Sequence, residues 1–102
     1  MGGERQDRKK VEFPASFIGD AKGTGTVRNL STSGCKIESP VPVQAEQLLV
    51  LRLSIPHEPE PIVIDVAAVR WVSEASFGVE FLKVKAGDQR RLEVYHASLS
   101  VS

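Results

Sequence analysis

The sequence predicts an all-β fold, namely a six-stranded antiparallel barrel followed by one C-terminal helix. Stretches in which apolar and polar residues alternate recur from Val11 onward, and turn-forming residues separate them. After Val84 the apolar residues change to helical spacing. Because the chain has 102 residues, these elements are predicted to form one domain. Six strands in roughly seventy residues protect their edges best by closing into a small barrel.

The strands follow one another along the chain. The first is predicted over 11–17, where Val11, Phe13, Ala15 and Phe17 alternate with less apolar neighbours. The remaining five are predicted over 24–28, 34–38, 47–55, 62–72 and 77–82. A short polar connection separates the last two strands, which predicts a hairpin.

The C-terminal helix is predicted over 86–99, because Leu92, Tyr95 and Leu99 have the i, i+3 and i+7 spacing of one helix face. We expect this helix to cap one end of the barrel. His96 also lies on the helix, far in sequence from any cysteine, and is predicted to be a surface residue rather than a metal ligand.

Composition argues against several classes of function. The 13 lysine and arginine residues balance 13 aspartate and glutamate residues, so the chain lacks the basic excess typical of proteins that bind nucleic-acid polymers. Cys35 is the only cysteine, which excludes an internal disulfide and a thiolate zinc site. No apolar run has the length of a membrane span, so we expect a cytoplasmic protein without membrane insertion. The sequence contains no Walker loop or dinucleotide fingerprint, and no enzyme activity is expected.

Positive charge is concentrated where the chain starts. Residues 1–10 have no apolar periodicity and are predicted to form a flexible basic arm, followed by a single barrel domain over 11–102. The arm carries two acids and four cations, Arg5, Arg8, Lys9 and Lys10. Arginine binds phosphate oxygens bidentately and stacks on purine faces, so the arm can serve a guanine nucleotide. The alternative is a solvated charged tail.

The second motif is the segment Asn29-Leu30-Ser31-Thr32-Ser33-Gly34 between two predicted strands. Asn and Ser side chains satisfy backbone groups in turns, and Gly34 can take a positive φ angle, so a tight turn is predicted. The same amide, hydroxyl and backbone N–H groups can bind a phosphate or a base edge. The alternative is an ordinary hairpin connection.

Together the two motifs resemble the PilZ family, whose members have an Arg-x-x-x-Arg segment before the first strand and an [Asp/Asn]-x-Ser-x-x-Gly turn after the second. The segments 69–72 and 77–81 look like the final paired strands of that family. The resemblance implies a six-stranded PilZ-like barrel with one helix. It also implies cyclic di-GMP binding, with Asn29, Ser31 and Gly34 in the turn and with the arm wrapping the ligand.

The arm departs from the family pattern by one residue in either of two registers. Counting back from Pro14 puts Arg8 at the second arginine and Glu4 at the first. The other register uses Arg5 and Lys9, where lysine supplies charge without the bidentate fork. The sequence is compatible with either register.

Two further residues are candidates for the ligand site. Arg28 precedes the turn and can add a phosphate contact, or it can be a solvent-facing strand residue. Trp71 can stack on a base, or it can pack in the core as a lone Trp in a small barrel commonly does.

The resemblance therefore implies a cyclic di-GMP receptor module that orders its arm on binding and signals to an unidentified protein partner. No cofactor is expected besides this ligand. The alternative is a PilZ-like interaction adaptor that no longer binds cyclic di-GMP, which the altered arm favours. A barrel that binds single-stranded nucleic acid is a weaker third reading, since zero net charge and few aromatic residues argue against it.

Overall fold

The structure is a computed structural model that describes residues 8–99, and it confirms the predicted fold. Six strands are followed by one helix. The elements are β1 (Lys9–Gly19), β2 (Gly23–Leu30), β3 (Gly34–Glu38), β4 (Leu48–Leu53), β5 (Ile62–Val72), β6 (Ser76–Lys83) and α1 (Ala86–Ser98). No helix in this part of the chain is long and apolar enough to cross a membrane.

The strands close into a barrel in the order β1-β2-β3-β6-β5-β4. Every neighbouring pair is antiparallel, and β1 closes the barrel by pairing with both β2 and β4. The predicted hairpin of β5 and β6 is present. Closure leaves no unpaired sheet edge along these strands, which removes a template for aggregation.

Alternation along each strand builds the core inside the barrel. In β4, Leu49, Leu51 and Leu53 are buried, whereas Leu48 and Val50 are exposed. The apolar side chains from all six strands meet as one cluster. Within it the rings of Phe17 and Phe77 pack edge to face, with centroids 5.5 Å apart, a geometry that aromatic pairs favour. The core therefore ties β1 to β6 across the barrel.

Helix α1 packs on the barrel through one face. Leu92 is fully buried, and the ring of Tyr95 lies 6.0 Å from that of Phe13 in an edge-to-face contact. His96 is buried as well, so the prediction that it lies on the surface is wrong. His96 follows Leu92 by four residues, and residues with this spacing share a helix face.

Strand β1 begins at Lys9, two residues earlier than the sequence pattern suggests. Polar residues extend this strand because Lys9 pairs with Leu30 and Lys10 pairs with Asn29 across β2. The last two residues of the predicted arm are thus part of the barrel. The rest of the arm, apart from Arg8, lies outside the described residues.

Candidate functional site

The turn between β2 and β3 is held together from inside by Ser31. This side chain is 1% exposed, its hydroxyl donates to the carbonyl oxygen of Gly34 at 3.2 Å, and it accepts from the backbone N–H of Ser33 at 3.1 Å. The backbone N–H of Ser31 also donates to Gly34 at 2.9 Å. Ser31 therefore shapes the turn, and its hydroxyl is occupied by backbone partners rather than directed to solvent.

Gly34 is required for a reason different from the one predicted. Its φ is not positive; instead, a Cβ at this position would lie 2.5 Å from the carbonyl oxygen of Val79 in β6. The backbone N–H of Phe81 donates to Ser33 at 2.8 Å just beside it. The glycine thus lets the turn lie directly against β6.

Arg8 reaches the turn motif. Its guanidinium donates to the side-chain oxygen of Asn29 at 2.8 Å. Asn29 is the penultimate residue of β2 and pairs with Lys10 of β1, so strand pairing brings the start of β1 alongside the end of β2. Two of the predicted site residues, 21 positions apart, are therefore in direct contact.

Lys9 is used for another purpose. Its ammonium donates to the carbonyl oxygens of His96 and Leu99 at 3.0 and 3.3 Å. These carbonyls lie at the end of α1, where the negative end of the helix dipole attracts a cation and where His96 also accepts from the backbone N–H of Leu99 at 3.2 Å. The structure thus engages Lys9 with the helix, away from the turn, whereas Arg5 lies outside the described residues.

A surface cleft of about 240 Å³ adjoins Arg8 and the turn. It combines the residue before β1, the β2–β3 turn, the end of β5 and the middle of β6. The lining residues are Arg8, Ser33, Gly34, Arg70, Trp71, Gly78, Val79 and Glu80. The pairing of β1 with β2, of β3 with β6 and of β5 with β6 brings these four segments together.

Trp71 forms one wall of this cleft. It is 42% exposed, so the alternative that it packs in the core is wrong. Its indole covers Gly78, its partner in β6, and a Cβ at that residue would overlap the indole nitrogen. The exposed part of the ring is available to a planar ligand.

The structure does not bring Arg28 into the cleft. Its guanidinium is paired with Glu38 at 2.9 Å and with Glu12 at 3.2 Å, and the hydrogen bond to Glu38 raises the pKa of Arg28. Arg28 instead lines a broad, shallow groove on the outside of the β1–β2 pair, which Asn29 also borders. Arg28 is a strand residue with two acidic neighbours.

Sequence reasoning missed Arg70, Gly78 and Glu80. Arg70 donates to Glu80 at 2.9 Å and to Glu46 at 3.3 Å. The signal was present in the predicted hairpin, since pairing its strands sets the glycine opposite Trp71. That the hairpin also adjoins the turn motif follows from the pairing of β3 with β6, which local patterns do not reveal.

Fold and site together define a small barrel module with an arginine, a polar turn and an exposed indole around one cleft. The chain belongs to the PilZ domain family, whose model matches residues 4–97, a family of ligand-binding and adaptor modules. None of the curated proteins matches the chain. Among the residues that the structure describes, no group of three or more His, Cys, Asp and Glu side chains is arranged to hold a metal ion.

The solved structures that share the fold include the following two. One is the Bacillus subtilis inhibitor of motility MotI/DgrA, with a TM-score of 0.73 and 21% identity over 86% of this chain. The other is the PilZ domain of CeSA from a cellulose-synthesizing bacterium, with a TM-score of 0.66 and 12% identity; the alignment covers 87% of this chain and 97% of that one. The chain spans 46% of the length of MotI/DgrA.

Proposed function

We propose that this chain is a receptor for cyclic di-GMP. The observation that carries the proposal is the contact of Arg8 with Asn29 beside the cleft that Trp71 borders. An arginine fork binds phosphate oxygens bidentately, and an exposed indole stacks on a base. Cyclic di-GMP offers both a phosphodiester ring and purine faces, so one cleft can serve both chemistries.

In this proposal the residues have different roles. Arg8 binds phosphate as a charge-assisted donor, and Asn29 positions it through the 2.8 Å hydrogen bond. Ser31 and Gly34 keep the turn close to β6, so they support the site through the backbone. Trp71 supplies the stacking surface. Of the two arm registers, the one with Arg8 at the second arginine is favoured, since Lys9 is engaged with the helix.

Signalling to a protein partner would follow from the position of the arm. Lys9, which follows Arg8, donates to the carbonyls at the end of α1. A ligand that binds Arg8 therefore contacts the chain next to the residue that joins β1 to the helix. We propose that the ligand orders the arm and thereby changes the surface formed by β1 and α1.

A second candidate is an interaction adaptor that no longer binds the nucleotide. In the Arg8 register, Glu4 occupies the position of the first arginine, and a carboxylate there repels phosphate. This observation favours the adaptor specifically.

Isothermal titration calorimetry with cyclic di-GMP distinguishes the two candidates. We expect micromolar or tighter binding and poor competition by GTP, because a two-fold symmetric bis-phosphate ring matches paired donors better than a linear triphosphate does. Absence of heat, together with an unchanged melting temperature at high ligand concentration, would reject the receptor and favour the adaptor.

A further inference from the structure

The cleft contains an ion pair between an arginine and a glutamate. Arg70 and Glu80 both line the cleft beside Trp71. The Nε of Arg70 lies 2.9 Å from a carboxylate oxygen of Glu80, and both side chains are about half exposed. Exposed ion pairs contribute little to stability. Stabilisation of the fold therefore does not explain why a carboxylate lies in a cleft proposed to bind an anionic ligand.

Strand pairing determines where this carboxylate lies. Glu80 is paired with Gly34 of β3 on one side and with Ala68 of β5 on the other. Neither neighbour has a side chain beyond Cβ, so neither covers the carboxylate. Two residues earlier on the same strand, Gly78 is covered by the indole of Trp71. A carboxylate and an aromatic surface therefore lie side by side on one face of β6.

This pair of groups matches the chemistry of guanine. The Watson–Crick edge of guanine presents two neighbouring donors, N1–H and the N2 amino group, and a carboxylate accepts from both. The O6 atom of guanine is an acceptor that an arginine recognises. Adenine presents an acceptor at N1, which a carboxylate repels.

We propose that Glu80 is the guanine-selecting residue of the site. It accepts from N1–H and N2 of a base stacked on Trp71, while Arg70 holds the carboxylate in place and donates to O6. This assignment rests on the proposed function, because it concerns the base of the same ligand. In this assignment the carboxylate of Glu80 selects the base, and Arg8 binds the phosphate.

Glu46 provides a matched control. It also pairs with Arg70, at 3.3 Å, but it does not line the cleft. Replacing either acid by glutamine removes one carboxylate from Arg70, and only the change at Glu80 removes the acceptor for the base. A purely structural role of the ion pairs predicts similar effects of both substitutions.

The test measures the dissociation constants of cyclic di-GMP and cyclic di-AMP by calorimetry for the wild type, Glu80→Gln, Glu80→Asp and Glu46→Gln. We expect the wild type to prefer cyclic di-GMP. Glu80→Gln should reduce the ratio of the two constants roughly tenfold or more, the size of one bidentate base contact. Glu80→Asp should retain part of the preference, and Glu46→Gln should retain it within about twofold.

The outcomes separate this assignment from the function on which it rests. An unchanged ratio in Glu80→Gln, or an equal reduction in Glu46→Gln, would reject Glu80 as the selecting residue while leaving cyclic di-GMP binding intact. A wild type that binds neither dinucleotide would reject the proposed function and this assignment with it. Because Glu80 is exposed, its variants should fold, and circular dichroism checks that they do.

Discussion

Arg8 and Lys9 are adjacent in sequence, yet their side chains serve different parts of the molecule. Lys9 is the first residue of β1 and Arg8 directly precedes it, and successive side chains of an extended chain point to opposite sides. The Arg8 guanidinium contacts Asn29 beside the cleft, whereas the Lys9 ammonium contacts the carbonyls at the end of α1. A single strand start therefore contributes one cation to the candidate site and one to the fold.

Substitution at these two positions should separate affinity from stability. Arg8→Ala should weaken cyclic di-GMP binding at least tenfold, because a hydrogen bond to a charged group contributes about 1.5–3 kcal/mol, with little change in the melting temperature. Lys9→Ala should instead leave cyclic di-GMP affinity nearly unchanged and lower the melting temperature. Loss of a cation at a helix C-terminus costs about 0.3–1 kcal/mol, which lowers the melting temperature by a few degrees. Calorimetry and thermal unfolding of both variants measure the two effects, and weaker binding by Lys9→Ala alone would contradict the assignment.

Gly78 is expected to control the position of Trp71. Gly78→Ala should displace the indole from β6, because the added Cβ would occupy the place of the ring nitrogen, and ligand affinity should fall with it. Since Trp71 is the only tryptophan, a red shift of its fluorescence reports the displacement directly. Gly87→Ala is the matched control, as nothing lies within 4 Å of that added Cβ. An unchanged emission spectrum in Gly78→Ala would contradict the packing.

Cys35 should make the stability of the fold decrease as the pH rises into the alkaline range. Burial raises the pKa of its thiol from 9.0 to about 12, so the folded state keeps a proton that the unfolded state loses. This contribution is fully present below pH 9 and is lost as pH rises toward 12, by about 1.4 kcal/mol per pH unit. Denaturant unfolding at pH 8 and pH 10 should show the decline, and Cys35→Ala should make it smaller. An equal decline in both proteins would refute this origin.

For single residues, the sequence showed which residues are candidates for the site better than it showed what each one does. Asn29 and Arg8 are recognisable from their motifs, and the structure brings them together. The reason for Gly34 could not be predicted, since it depends on the carbonyl of Val79 in a strand far along the chain. Glu80 was missed for the same reason, because its position next to the turn results from long-range pairing.

At the level of elements, alternation determined the strands well wherever one face is buried. The bounds of β3 and β5 agree with the prediction, and β4 is shorter by a residue or two at each end. The start of β1 could not be predicted, since its polar residues become strand only by pairing with β2. On α1 the apolar spacing identified the helix, but the buried His96 shows that a polar residue can share the packed face.

Leu92 should contribute a large share of the stability of α1 on the barrel. Leu92 is fully buried, and Leu92→Ala should lower the free energy of unfolding by about 2–5 kcal/mol, as leucine truncations in cores do. Val94 lies two residues away on the same helix and is 65% exposed. Val94→Ala should therefore change stability by less than about 0.5 kcal/mol. Denaturant unfolding of both variants measures the difference, and similar losses would show that the helix does not pack as described.

For the molecule as a whole, the candidate cleft is a product of long-range strand pairing. It draws on Arg8, the β2–β3 turn, β5 and β6, and these meet because β1 pairs with β2 and because β6 pairs with both β3 and β5. Local sequence patterns predict each strand, but long-range pairing decides which ends meet. Ligand binding at this junction should consequently stabilise the entire barrel rather than one element.

Ligand binding should raise the melting temperature of the domain. At a free cyclic di-GMP concentration about 100 times the dissociation constant, binding should stabilise the folded state by about 2.7 kcal/mol. For a domain of this size, about 1 kcal/mol shifts the melting temperature by roughly 4–8 °C, so the expected increase is roughly 10–20 °C. Far-ultraviolet circular dichroism and Trp71 fluorescence should follow the same transition if the barrel and helix unfold as one cooperative unit.

The Arg8→Ala variant supplies the control for this shift. Without ligand its melting temperature should equal that of the wild type, and at the same ligand concentration its increase should be clearly smaller because fewer sites are occupied. An equal shift in both proteins would show that the ligand binds away from Arg8. Two separate transitions would instead show that the barrel and helix do not unfold as one cooperative unit.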